Sequence, residues 1–281
     1  MLLDERKGSI TSRKFKSFRG FAIARSSQRL TKSAIFALAS FSKISRQQAR
    51  AILMYHSIAS NDDFFTVNPR GFELQIDYLR KNYTIVSLEE MAACIRNAKK
   101  LPRKAVAITF DDGYEDCYLN AYPHLRDYDL PATVFVSTAY VGKEWPFACS
   151  RLKMLTWKEI EEMSKNNIEI GAHTVTHTDL RKANLKTARN EVVESKKQIE
   201  EHVKKTVTQF SFPFGRCSHK TVDLVKSLGF KTIVGDLSNA ETPKSPNGNV
   251  LKRIQVDSSV SQVLFKALLT KATHWLGQLD H

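Results

Sequence analysis

The sequence has few cysteines and no internal repeat. Its four cysteines include no Cys-x-x-Cys pair, so it gives no support for a zinc cluster or a dithiol redox motif, and nothing in it requires a disulfide. A collagen-like repeat and low-complexity segments are also lacking. The composition, 42% hydrophobic and 26% charged over 281 residues, is that of a globular protein long enough for one large core.

The first 50 residues lack both a long hydrophobic run and a balance of charge. Their longest apolar stretch, Ala34–Ser40, is far shorter than the roughly 20 residues of a membrane-spanning helix. They hold 12 Lys and Arg residues against two acidic ones, whereas the whole chain has 43 against 29. This is a poor match to a secretory signal, in which an apolar core follows a short basic start.

We therefore predict that residues 1–50 form a basic leader, either amphipathic and helical or loosely ordered. A basic amphipathic segment can lie on an anionic membrane surface, so a membrane partner and an extension without a partner are both open interpretations. No specific nucleic-acid partner is expected, because no nucleic-acid motif accompanies the charge. The expected location is cytoplasmic or at a membrane surface.

From residue 51 onward, short apolar runs that predict buried strands alternate with segments of helical periodicity. The runs are 51–55, 83–86, 105–110, 132–136, 168–170, 207–212, 231–234 and 250–256. This alternation predicts a parallel sheet, and about eight units favour a closed barrel over an open sheet. The predicted fold class is α/β, a distorted (β/α) barrel of seven to eight parallel strands over residues 51–281, preceded by the leader.

Polar residues follow several of these strands directly: His56, the pair Asp111 and Asp112, and His173. The active sites of α/β barrels form at the carboxyl ends of the strands, so we expect these side chains to converge on one rim. An Asp-Asp-Gly sequence alone is typical of a turn. After a strand apolar enough to be fully buried, however, two adjacent carboxylates repel each other and resist desolvation unless a cation is present.

His173 and His177 are candidate ligands for that cation. In a strand they would lie about 13 Å apart, too far to share a metal ion. On a helical turn their Cβ atoms would lie about 5–6 Å apart, so we expect residues 173–177 to form such a turn. Two neutral imidazoles and one carboxylate leave a coordination position open, which is the pattern of a catalytic zinc-type site.

Three motifs carry a resemblance to a known family. The segments Thr109–Tyr114 (TFDDGY), Gly171–His177 (GAHTVTH) and Phe212–Gly215 (FPFG) resemble the first three motifs of the polysaccharide deacetylases, metal-dependent carbohydrate esterases built on a partly irregular β/α barrel. Met54–His56, Leu155–Glu159 and Leu251–Ile254 are also similar to segments of that family. The resemblance covers residues 51–270 and is to the branch that includes bacterial poly-N-acetylglucosamine deacetylases.

The resemblance implies the roles of the site residues. It implies that the metal is bound by Asp112, His173 and His177, with Asp111 as the catalytic base. The metal and a backbone N–H near Tyr114 would hold the oxyanion, and Pro213, Phe214 and Gly215 would line the acetyl pocket. The implied cofactor is a divalent metal ion, with Zn²⁺ expected, and the implied substrate is an N-acetylated oligo- or polysaccharide.

The sequence departs from the family pattern at two places. The third motif lacks the Arg that braces the base in many members. After Gly215, Leu-x-His occurs only at residues 279–281, and His219, His274 and His281 lack the context of the family's late histidine, which protonates the departing amine. His56 is therefore a candidate for a catalytic role, Arg253 for the brace, and Trp145 for a surface on which a sugar stacks. Two other functions stay open: an O-acetyl esterase or other amide hydrolase using the same site, and a carbohydrate-binding scaffold with a vestigial site.

Overall fold

The computed structural model describes residues 50–96, 102, 104–146, 152–236 and 250–269. The predicted leader lies outside the described residues apart from Arg50, and its separation from a domain of residues 51–281 stays a prediction. Within the described ranges, no helix is long and apolar enough to cross a membrane. Three cysteines, Cys94, Cys117 and Cys217, carry free thiols.

Eight parallel strands form the main sheet of the described chain. They are β1 (Arg50–Tyr55), β4 (Thr84–Ile85), β5 (Ala105–Phe110), β6 (Ala132–Val136), β7 (Ile168–Ala172), β8 (Gln209–Ser211), β9 (Thr232–Asp236) and β10 (Leu251–Gln255). Seven of them close into a barrel in the order β1-β10-β9-β8-β7-β6-β5, because β5 also pairs with β1, and β4 adds to the start of β5. The predicted α/β barrel is thus confirmed.

A second, two-stranded parallel sheet was not predicted. It pairs β2 (Ser57–Ile58) with β3 (Thr66–Val67), directly after β1. Two residues per strand are too few to produce a readable alternation of apolar and polar positions, so periodicity could not indicate them.

Helices surround the barrel and bury the faces that their periodicity indicates. In the first of them, Phe72, Ile76 and Leu79 are all buried against the core. The fourth begins with a capping box formed by Thr156 and Glu159. The α-helices are α1 (Pro69–Asn82), α2 (Leu88–Arg96), α3 (Tyr122–Asp127), α4 (Trp157–Lys165), α5 (Leu185–Val203), α6 (His219–Ser227) and α7 (Gln262–Leu268), with a π-helix at Cys117–Ala121 and 3₁₀ turns at Thr138–Tyr140 and Pro213–Gly215.

Phe135 of β6 fills the interior of the barrel. Its ring occupies the space beside Gly171, where a Cβ would meet the ring at 2.5 Å, so β7 needs glycine at this position. Above the ring, the guanidinium carbon of Arg253 lies 5.6 Å from its centroid. Phe135 thus separates an apolar lower layer from a charged upper layer.

Helix α2 closes the amino-terminal mouth of the barrel. Its residues Leu88 and Met91 pack into the same apolar cluster as the inward-facing Ala105 and Ala107 of β5. At its end, Arg96 donates to the carbonyl of Lys231, just before β9 begins. With this mouth covered, the carboxyl-terminal mouth is the one left to hold a site.

Candidate active site

The carboxyl ends of β5 and β7 bring a carboxylate and two imidazoles together. Asp112 Oδ1 lies 3.3 Å from His173 Nε2 and 3.2 Å from His177 Nε2, and the three candidate ligand atoms all lie within 4.8 Å of one another. The chain turns sharply after β5, where Asp112 and Gly113 have φ of 74° and 86°. This left-handed turn needs residues such as Asp and Gly, and it delivers the Asp112 carboxylate to the histidines.

The donor set fits a divalent cation. Asp112 Oδ1 is buried and accepts no hydrogen bond from the described residues, an arrangement that is costly unless a cation or proton satisfies the oxygen. Burial raises the pKa of Asp112, but the adjacent His177 and His173 rings outweigh this and hold that pKa well below its ordinary value. The carboxylate is therefore ionised at neutral pH and available as a ligand.

The tautomer of His173 is set by a backbone carbonyl. Its Nδ1 lies 2.7 Å from the carbonyl oxygen of Ser211, which can only accept, so Nδ1 carries the proton and Nε2 presents its lone pair toward Asp112. Burial lowers the pKa of His173, but the Asp111 and Asp112 carboxylates raise it above its ordinary value. The same negative field favours a metal ion, with which a proton would compete for Nε2.

The predicted helical turn at residues 173–177 is wrong. The segment is an irregular loop in which Thr174 and His177 have φ of 65° and 56°, and the two histidine rings still come within 5.0 Å of each other. The loop is held from outside by Glu191 of α5. One carboxylate oxygen accepts from the backbone N–H groups of Val175 and Thr176, each at 2.9 Å.

Asp111 lies beside this group but has different partners. Both of its oxygens accept from Arg253 of β10, at 2.7 and 2.5 Å, and Ser211 donates to one of them at 3.1 Å. Both ionic side chains are almost fully buried. Burial raises the pKa of Asp111, but the charges of Arg253 and His173 lower that pKa by a larger amount. The pKa of Asp111 is therefore below its ordinary value. Asp111 is thus a fixed, ionised carboxylate.

Known proteins are similar in sequence to most of this chain. The sequence profile of the polysaccharide deacetylase family matches residues 98–233. A poly-β-1,6-N-acetyl-D-glucosamine N-deacetylase of Staphylococcus aureus is 30% identical over 212 residues, 72% of this chain and 71% of that protein. The chain belongs to the polysaccharide deacetylase family. It is therefore a hydrolase, and the Asp112, His173 and His177 group is the place where it can hold the metal on which this family depends.

Two further relatives cover a similar share of this deacetylase. The Bacillus subtilis protein YxkH is 30% identical over 219 residues, 78% of this chain and 75% of that protein. The solved structure of the Streptococcus pyogenes deacetylase PplD in complex with acetate superposes with a TM-score of 0.66 at 26% identity, covering 80% of this chain and 99% of that chain.

Two aromatic candidates of this deacetylase lie beside His177. His177 contacts two aromatic rings edge-on, Trp145 at 5.2 Å and Phe214 at 4.5 Å between centroids. Phe214 is 51% exposed, whereas only 6% of Trp145 is exposed. Trp145 is thus buried beside His177, and the structure leaves it little open face on which a sugar could stack.

Two residues of the site were missed by the sequence analysis. Ser211 bonds Asp111 through its hydroxyl and His173 through its carbonyl, so it links the two halves of the site. Its place at the end of a predicted strand was a usable signal. Glu191, by contrast, lies 14 residues beyond His177 on a helix, and nothing in the local sequence indicates that it reaches back to the loop.

Replacing Glu191 with Ala is expected to lower the affinity of this deacetylase for added Zn²⁺ by about 10–100-fold, because the loop that carries His177 loses its outer support. Titration of the metal-free protein with Zn²⁺ measures this. Glu191→Gln keeps one oxygen for the two N–H groups and should be affected less. Glu194→Ala, an exposed change on the same helix, is the control. Equal affinities in all four proteins would contradict the role of Glu191.

Proposed function

We propose that this deacetylase removes N-acetyl groups from an N-acetylated glycan by hydrolysis of the amide, with Zn²⁺ held by Asp112, His173 and His177. The observation that carries the proposal is that the two adjacent carboxylates have different partners. Asp112 faces two imidazole nitrogens, whereas Asp111 faces a guanidinium and a hydroxyl. The named activity of the Staphylococcus aureus relative, N-deacetylation of a poly-N-acetylglucosamine, supports the choice of substrate class.

Zinc is proposed because two imidazoles and one carboxylate are among its usual catalytic ligand sets. When bound, the ion supplies Lewis acidity toward the acetyl carbonyl oxygen. The chain supplies the rest of the chemistry. We assign to Asp111 the role of base: its carboxylate, ionised at neutral pH and fixed by Arg253, accepts a proton from the attacking water.

We assign to His56 the protonation of the departing amine. It follows β1 on the same rim, and its Nδ1 is buried with no hydrogen-bond partner among the described residues. It is also close enough to contribute to the electrostatic field at both Asp111 and Asp112. An imidazole with a free ring nitrogen beside the reacting carboxylates is suited to moving a proton between them and the leaving group.

The acetyl group is proposed to lie between Tyr114 and the turn Pro213–Gly215. The backbone N–H of Tyr114 would donate to the oxyanion, and the exposed ring of Phe214 would cover the methyl group. Burial and the nearby Asp112 carboxylate raise the pKa of Tyr114, so its hydroxyl keeps its proton and adds no negative charge to the site.

Acetate release tests the proposal. The zinc-loaded protein is expected to release acetate from N-acetylglucosamine oligomers, to stop when a chelator removes the ion, and to recover when Zn²⁺ is restored. Detection of new free amino groups in equal amount separates N-deacetylation from removal of O-acetyl groups, which leaves hydroxyls. Bound zinc with no acetate from any N-acetylated oligomer would contradict the proposed substrate.

A further inference from the structure

The segment Ser57–Val67, here called the flap, consists of β2, β3 and the loop between them. Its base is fixed by Asp116, whose two carboxylate oxygens accept from the Ser57 hydroxyl at 2.6 Å and from the Ile58 N–H at 2.9 Å. Its tip is fixed as well, since the carbonyl of Phe64 accepts from the N–H of Ser258 at 3.1 Å. The flap is therefore held at both ends.

The tip of the flap presents an aromatic face to solvent beside the site. Phe65 is 45% exposed, and its ring centroid lies 4.9 Å from that of His56. Phe64 packs edge-on against it at 5.2 Å. A phenylalanine ring left open on a supported element is unfavourable in water, and it is well suited to cover the apolar face of a ligand.

The same tip holds an unsatisfied acceptor. Asp63 Oδ2 is buried and has no hydrogen-bond partner among the described residues. Asp63 lies two residues before Phe65, whose ring contacts His56, so it belongs to the same part of the rim. A sugar ring combines one apolar face with hydroxyl and amide donors at its edge, and Phe65 and Asp63 offer the two matching features.

Phe65 and Phe214 flank the mouth of the barrel. Phe65 contacts His56 after β1, and Phe214 contacts His177 after β7. In the closed order of seven strands, β1 and β7 are separated by two intervening strands on one side and three on the other. A ligand that touches both rings must therefore extend across the mouth, past Asp111 and Asp112.

We propose that Phe65 and Asp63 form a second sugar-binding subsite, which binds the N-acetylhexosamine unit adjacent to the unit that is deacetylated. The proposal rests on the proposed function and narrows it, since the substrate must then be an oligomer or polymer rather than a single sugar. Phe65 stacks on the neighbouring pyranose, and Asp63 accepts a hydrogen bond from its hydroxyl or amide group.

Binding measured by calorimetry tests the subsite separately from turnover. The zinc-loaded protein is titrated with N-acetylglucosamine and with its pentamer. Phe65→Ala is expected to weaken binding of the pentamer about tenfold, a loss of one stacked ring, and to leave binding of the monomer unchanged. Phe65→Trp should restore pentamer binding. Ile95→Ala is the control, because Ile95 is equally exposed, at 48%, on the helix that closes the opposite mouth.

Two further comparisons complete the test. Asp63→Asn should weaken pentamer binding, whereas Asp62→Asn, at the exposed neighbouring position, should not. Hydrolysis of a small acetanilide, which is too short to reach the flap and whose amine must be protonated to leave, should be unchanged in Phe65→Ala. Equal pentamer binding by wild type and Phe65→Ala overturns the subsite. So does an equal loss of acetanilide hydrolysis, which would mean that Phe65 only supports His56. Pentamer binding through Phe65 without any acetate release would instead reject the proposed function and leave the subsite standing.

Discussion

Replacing Asp111 with Asn is expected to lower kcat for acetate release by roughly 10²–10⁴-fold, the usual contribution of a general base, while bound zinc stays near the wild-type level. The amide has the size of the carboxylate and still accepts a hydrogen bond from Arg253, but it does not accept a proton from water. The three metal ligands keep their side chains, and His173 keeps its hydrogen bond to the Ser211 carbonyl, so zinc is expected to remain bound.

Acetate release and metal content, measured on the same samples, decide the outcome. Asp112→Asn is the matched comparison at the adjacent position, and it should lose zinc together with activity. Asp223→Asn, an exposed change on α6, should alter neither. If Asp111→Asn retained activity within tenfold of wild type, another group would have to act as the base.

Replacing Arg253 with Met is expected to destabilise the protein by roughly 3–5 kcal/mol, because it leaves Asp111 as an unpaired charge in the barrel interior. The methionine roughly fills the volume of the arginine stem, so the loss reports the charge and not a cavity. Denaturant unfolding measures the free energy. The double variant Asp111→Asn with Arg253→Met removes both charges and should recover part of the loss, giving a coupling energy between the two residues.

The stability lost on replacing Arg253 with Met should depend on pH in a defined direction. Because the pKa of Asp111 is lowered in the folded protein, its pairing with Arg253 stabilises fully above the ordinary carboxylate pKa of about 4 and is lost as the pH falls through the lower folded value. In Arg253→Met, burial without the guanidinium raises the pKa of Asp111. The gap in unfolding free energy between wild type and this variant should therefore begin to narrow above pH about 4 and continue to narrow until the pH reaches the lowered pKa of wild-type Asp111. A gap that stayed constant down to pH 2 would show that the charge of Asp111 is not its origin.

Residues close to one another in sequence were the predictable part of this site. Asp111 and Asp112 share a turn, and His173 and His177 share a loop, so their proximity could be inferred from two short motifs. The reason given for the histidine pair was nevertheless wrong. A spacing of four suggested a helical turn, whereas two left-handed residues and the distant carboxylate of Glu191 shape the loop.

Contacts between distant strands were less accessible to sequence reasoning. Arg253 was a candidate brace for Asp111 only because it lies in the last predicted strand, and its side-chain direction depends on the register of β10. Since side chains alternate along a strand, a shift of one residue would have turned Arg253 away from the interior. The flap went unrecognised for a related reason, because its two strands are held by Asp116, almost 60 residues further along the chain.

The barrel closes through β10, which pairs with both β1 and β9, and this affects how the chain folds while it is synthesised. A nascent chain that has emerged only as far as β9 already carries Asp111, Asp112 and both histidines, but it lacks the guanidinium that neutralises Asp111. Burying that carboxylate before β10 arrives would be strongly unfavourable. We therefore expect the barrel of the ribosome-bound intermediate to stay open until β10 has emerged. Closure of the barrel and assembly of the catalytic centre then occur together, late in folding.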